Sequence, residues 1–342
     1  MLKKFTFNKP SWIGYAVVVV LLHVIGIIGL MIISRDHTEL WSIGVLAYLL
    51  GLRHAFDIDH IAAIDNSVRK LIQQNRSALG VGFYFSLGHS SVVFIMVVIV
   101  AISVKWAQAK LPQFQKIGGA IGATVSGSFL LIIGVINVVI LFQLIRVIRR
   151  LRNGSMPTLQ AQELLAGGGL ISRLTAPLFR FIDRSWHLYP LGFLFGLGFD
   201  TATEIGLLTM SATAANQSLP IFGILSFPIL FAAGMSLMDT ADGIFMTKAY
   251  RWAFTNPIRK MYYNLTVTSI SIGAALLIGF VQLAHILSER NIVKGKFWTW
   301  IDGLDFEMYG YALVGLFVIS FAISLAIARY FRYKDGLPSA EV

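Results

Sequence analysis

An all-α, polytopic membrane protein is the fold class this sequence predicts, and three observations carry it. The 342 residues are 56% hydrophobic and 13% charged, with a mean hydropathy of +0.73. Apolar runs close to the ~20 residues a helix needs to cross ~30 Å of hydrocarbon recur along the whole length. No stretch shows the alternation of barrel strands, and in lipid a backbone must satisfy its own hydrogen bonds, so each run reads as a helix.

Eight spans are expected, at about 11–33, 42–66, 78–104, 117–145, 188–212, 221–247, 262–287 and 308–330, forming one membrane domain over 1–342. The first is too long for a signal peptide, is followed by Arg35 and Asp36, and has no small-residue cleavage site, so it should remain as a helix. The second carries Arg53-His54-Ala55-Phe56-Asp57-Ile58-Asp59-His60-Ile61, and the third Ser86-Leu87-Gly88-His89-Ser90. The fifth contains Asp200 and Glu204, and the sixth Asp239 and Asp242. The first, fourth, seventh and eighth spans hold no acidic residue, so a subset of helices should build a polar interior.

The net charge of +11 could point to nucleic acid, but its placement points to topology. With the N terminus in the cytoplasm, twenty of the 28 Lys and Arg fall on the inner side and seven on the outer, Arg53 lying within a span. The positive-inside rule then puts both termini in the cytoplasm of a multi-pass inner-membrane protein. The long connection 146–187 is basic, and Leu174, Leu178, Phe179 and Ile182 at helical spacing predict an amphipathic helix on the anionic leaflet. The partner implied is the lipid bilayer, with no nucleic acid and no obligatory protein partner evident.

One arginine, two histidines and two aspartates within nine residues of the second span are costly, at about 2.5–3.5 kcal/mol per charged residue at a helix centre. Such a cluster implies a purpose, with a divalent metal ion first among the choices. On a regular helix His54 and Asp57 share a face and His60 lies about 60° away, while Asp59 points elsewhere and would orient a histidine or meet a neighbouring helix. The competing structural reading is an Arg53–Asp57 ion pair with histidines that merely hydrogen bond. His89 lies one turn from Ser86; Asp200 and Glu204, and Asp239 and Asp242, likewise pair within a turn. Like charges so close need a cation or a proton between them. Gly196, Gly198, Ser236 and Thr240 are read as helix-contact residues, and His23, His187 and His285 as interfacial or structural.

Phe56-Asp57 resembles Phe199-Asp200, and Ser86-Leu87-Gly88-His89-Ser90 resembles Ser236-Leu237-Met238-Asp239-Thr240. The offset of three spans would make a three-plus-three inverted repeat of the first six helices around a midplane site. With no cysteine in the chain, any metal must use nitrogen and oxygen ligands.

In these residues the sequence resembles the nickel/cobalt transporter (NiCoT) family. The family's second-helix signature, a histidine, four residues, then Asp-His, appears as His54 through Asp59-His60. Further family blocks appear as FSLGHSSVV from Phe85, LGFDTATEI from Leu197 and GMSLMDTADG from Gly234. The resemblance implies a secondary permease that imports Ni2+ or Co2+, not an enzyme. The ion would be bound by His54, Asp57, Asp59, His60 and His89, with Asp200, Glu204, Asp239 and Asp242 completing the site or the path and Arg53 as a structural partner. No resident cofactor is implied, because the metal is cargo. No GxxxxGK[ST] loop is present, so the chain is not itself an ATPase. Alternatives are an exporter or carrier of another divalent cation, the membrane component of an ATP-driven importer, and, from another class, a membrane metalloenzyme.

Overall fold

The computed structural model of the protein describes residues 12–35, 37–155, 157, 182–198, 201–216, 219–255, 261–289, 295–298 and 306–334. Ten helices longer than two turns run through them: α1 (Trp12–Ile33), α2 (Leu40–His54), α3 (Ile58–Gln73), α4 (Val81–Ile102), α5 (Val104–Arg152), α6 (Leu188–Phe195), α7 (Ala202–Asn216), α8 (Ser226–Thr255), α9 (Met261–Glu289) and α10 (Phe306–Lys334). No strand occurs among the described residues. The chain is thus an all-α membrane protein, and five stretches among the described residues are long and apolar enough to cross a bilayer outright. Of the amphipathic helix expected over 170–186, residues 170–181 fall outside the described residues, and the rest is not α-helical: Ser185–His187 form a single 3-10 turn.

Two spans expected as continuous helices are interrupted. The second stops at His54 and restarts at Ile58, and the fifth stops at Phe195 and restarts at Ala202. The cause in the second is local. Phe56 N–H donates to Arg53 O and Asp57 N–H to His54 O, tight closures that end α2. Asp57 then turns extended (φ −60°, ψ 135°) and caps α3, its carboxylate accepting from Ile58 N–H at 2.9 Å. In the fifth, Thr201 and Glu204 stand at the spacing of a capping box, and Glu204 N–H reaches Thr201 Oγ1 at 3.4 Å.

Irregular backbone inside a membrane survives only where protein covers it. Here α10 does so: Phe56 stacks on Tyr311 at 4.7 Å, and a Cβ on Gly310 would lie 1.6 Å from the Phe56 carbonyl oxygen. Only glycine admits that approach.

The expected connection between the third and fourth spans is also helical, since α5 runs unbroken from Val104 to Arg152 through Pro112. At ~1.5 Å per residue its 49 residues exceed the bilayer thickness.

The half-helix α3 is the axis of the molecule. Fourteen of its 16 residues are buried, among them His60, Asp65, Asn66, Ser67, Arg69 and Lys70. Around it stand α4, α5, α8, α9 and α10. At its C-terminal end, burial lowers the Lys70 ammonium to about 8, and Asp183 beside it opposes the shift. Elsewhere α2 lies along α8, α6 along α4, and α5 along α9.

Candidate metal centre

Three histidines from three places in the sequence meet in the interior. His54 ends α2, His60 opens α3 and His89 sits midway along α4; they are 1%, 1% and 3% exposed. One candidate ligand atom from each lies within 4.8 Å of the others. Ring centroids are 4.7–4.8 Å apart. The break after α2 makes this possible, because it redirects the chain between His54 and His60.

Phe85 packs on His60 and Phe231 on His54, and the remaining contacts around the three rings are polar. His54 Nε2 and His89 Nε2 approach to 2.9 Å, and the same His89 nitrogen lies 2.9 Å from Glu204 Oε1. One nitrogen carries at most one proton, so it cannot donate to both neighbours at once. A cation between the three atoms satisfies all of them, because each offers a lone pair.

The outer partners hold two of the rings, and the carboxylate among them sets a tautomer. His54 Nδ1 contacts Thr203 Oγ1 at 3.0 Å, and His60 Nδ1 lies 3.4 Å from Asp239 Oδ2. A carboxylate accepts only, so the His60 proton faces Asp239 and Nε2 keeps its lone pair, an arrangement that orients and strengthens a metal-binding imidazole. The other Asp239 oxygen is buried with no hydrogen-bond partner. We expect Asp239→Asn to weaken nickel binding by about 10–100-fold, measured by equilibrium dialysis of the purified protein, with little loss of expression.

The remaining expected residues divide. Glu204, 1% exposed, is in the cluster by direct contact with His89. Asp57 is buried beside it as the cap of α3. Asp59, in the first turn of α3, is directed to α5 and α9, where its Oδ2 accepts from Ser126 Oγ at 3.1 Å and Gln282 Nε2 at 3.0 Å. Asp242 has a buried oxygen without a hydrogen-bond partner and faces the charges of Asp65 and Asp239. Arg53 is exposed at the end of α2, away from the buried histidines. Asp200 falls outside the described residues.

Sequence reasoning missed Thr203, Ser126 and Gln282 as partners. Thr203 had a signal in DTATE, whose hydroxyls flank Glu204. Ser126 and Gln282 had none, since each is an ordinary polar residue within an apolar run.

Comparison with known proteins decides the family. The family model described as high-affinity nickel-transport protein matches residues 40–327. The chain belongs to the high-affinity nickel-transport protein family. It is 55% identical over 330 residues to the nickel transporter NixA of Staphylococcus aureus, covering 96% of this chain and 98% of that one. To the high-affinity nickel-transport protein NixA of Helicobacter pylori strain J99 it is 48% identical over 329 residues, 94% and 97% of the two chains. To the cobalt transport protein NhlF of Rhodococcus rhodochrous it is 38% identical over 313 residues, 90% and 89%. No solved structure matches. As a member of this family the chain is a multi-pass membrane transporter and not an enzyme, and the histidine cluster lies within the stretch that matches.

Proposed function

We propose that the transporter imports Ni2+, with Co2+ as its alternative cargo, across the cytoplasmic membrane through the buried site formed by His54, His60, His89 and Glu204. The observation that carries this reading is the convergence of His54 Nε2, His89 Nε2 and Glu204 Oε1 at 2.9 Å spacing. Two nitrogens bound to one ion at ~2.1 Å and at right angles would stand ~3.0 Å apart, so the spacing suits a tetragonal nitrogen and oxygen site of the kind nickel favours. Asp239 and Thr203 orient the histidines, Asp57 holds the helix break and adds negative charge, and Asp59 supports α3 from its outer side. Asp200 and Asp242 are assigned to the path.

Eight spans with both termini inside remain our topology. Two half-helix pairs, α2/α3 and α6/α7, complete the second and fifth spans. The inverted repeat draws support from three features: both expected copies contain a broken helix, α2 lies on α8 as α6 lies on α4, and the matched serines Ser86 and Ser236 hydrogen bond at 3.1 Å. Rocking of the two halves about that contact would expose the site alternately.

A membrane potential negative inside favours inward movement of a divalent ion by about 4.6 kcal/mol per 100 mV. We expect proteoliposomes to accumulate radioactive nickel at nanomolar concentration when a potassium diffusion potential makes the interior negative. Dissipating the potential should abolish accumulation, and excess cobalt should compete. Efflux against that potential would reverse the assigned direction, and uptake only with an added ATPase would make the chain part of a larger importer.

A further inference from the structure

A second buried polar group lies along α3 beyond the histidines, and none of it serves the metal centre directly. Asp65 is 0% and Arg69 1% exposed, with Arg69 Nη2 3.5 Å from Asp65 Oδ2. Two hydroxyls bind both charges. Arg69 Nη2 donates to Tyr250 OH on α8 at 2.6 Å and to Ser271 Oγ on α9 at 2.5 Å. In turn Ser271 Oγ donates to Asp65 Oδ2 at 2.5 Å and Tyr250 OH donates to Asp65 Oδ1. The guanidinium also sits 5.0 Å from the Tyr250 ring centroid. Three helices are thus clasped around one ion pair.

One buried face of α8 joins this clasp to the histidines. On α8, Asp239, Asp242, Met246 and Tyr250 recur at steps of three and four and so form one stripe. Asp242 lies one turn from Asp239, which contacts His60, on the stripe that ends at Tyr250 of the clasp. Two buried hydroxyls without hydrogen-bond partners lie on the same two helices: Ser67, seven residues from His60 on one face of α3, and Thr247, one turn before Tyr250. Stability is a poor reason for such a group, since a buried ion pair is often no better than apolar side chains of the same volume.

We propose that the Asp65–Arg69–Tyr250–Ser271 clasp is the inner gate of the transport path. Arg69 is a tethered cation lying on the carboxylate that a departing ion meets after Asp239 and Asp242. A divalent ion takes Asp65 only when Arg69 and the two hydroxyls release it, and release parts α3 from α8 and α9. This assignment rests on the proposed import path and gives it an inner barrier.

The native chain has no cysteine, so a single probe reports without background. Thr247→Cys puts a buried thiol on α8, one turn from Tyr250 of the clasp. In inside-out membrane vesicles it should react slowly with a membrane-impermeant thiol reagent. Added Tyr250→Phe and Ser271→Ala, which loosen the clasp without unpairing a charge, should speed that reaction about tenfold or more by raising the open population. Radioactive-nickel binding to the purified variant should stay within about threefold of its parent, which a generally loosened fold would not permit. Equal labelling rates in the two backgrounds, faster labelling only in right-side-out vesicles, or nickel binding lost together with the faster labelling would each overturn the gate. If the double change fails to reach the membrane, Tyr250→Phe alone carries the same comparison with a smaller acceleration. Uptake surviving removal of the histidines would instead overturn the metal site, a result this labelling does not depend on.

Discussion

Replacing His54 and His60 together by alanine is expected to reduce nickel uptake at nanomolar concentration on the order of 100-fold or more, with the protein still in the membrane. The size follows from what is removed. Loss of an outer partner of a metal-bound histidine alone costs about 10–100-fold in affinity, and here two candidate ligands go at once. The pair is chosen because it spans the helix break, one residue on each side, so both half-helices lose their hold on the ion. Folding should survive, because neither imidazole caps the break; Asp57 does. Cell-based uptake of radioactive nickel, normalised to the amount of transporter in isolated membranes, measures it. Uptake at the parental rate would remove the histidines from the path altogether.

The second large effect is expected at a residue that carries no charge. Gly82 on α4 lies against the backbone of α8, where an added Cβ would come 1.8 Å from the Asp239 carbonyl oxygen and 2.5 Å from its carbon. Backbone cannot swing aside as a side chain does, so Gly82→Ala must push α4 and α8 apart. Overpacking of this kind costs about 1–3 kcal/mol, and here it acts on the two helices that carry His89 and Asp239. We expect a lower Tm for the purified protein and weaker nickel binding together, since the displaced residue is the partner of His60. Gly273→Ala provides the contrast. Nothing lies within 4 Å of its would-be Cβ, and alanine in an open helical position gains up to ~1 kcal/mol, so that variant should keep or raise Tm. An unchanged Tm and unchanged binding in Gly82→Ala would mean that this helix contact yields freely.

Much of the molecule was legible from the order of its residues. Hydrophobic runs long enough for a bilayer must be helical there, so the class follows from composition and length. His54, His60, His89 and the interior acids were equally visible, because polar residues in such runs demand compensation wherever the chain goes. The helix break was not foreseen, although Asp57 and the Thr201–Glu204 pair are both helix-start signals. Within an apolar run, hydrophobicity argues for continuity, and a capping signal is then easily passed over.

By itself the sequence determined an all-α membrane protein of the high-affinity nickel-transport family with a histidine-rich interior. Tertiary structure alone decided which atoms meet. His54 touches His89, His60 touches Asp239, and Asp59, inside the family signature, turns instead to Ser126 and Gln282. Helical periodicity states which residues share a face, but not where a helix stops or which neighbour that face meets. Those depend on close contacts such as Gly82 with Asp239 and Gly310 with Phe56, where the absence of one carbon lets two backbones touch.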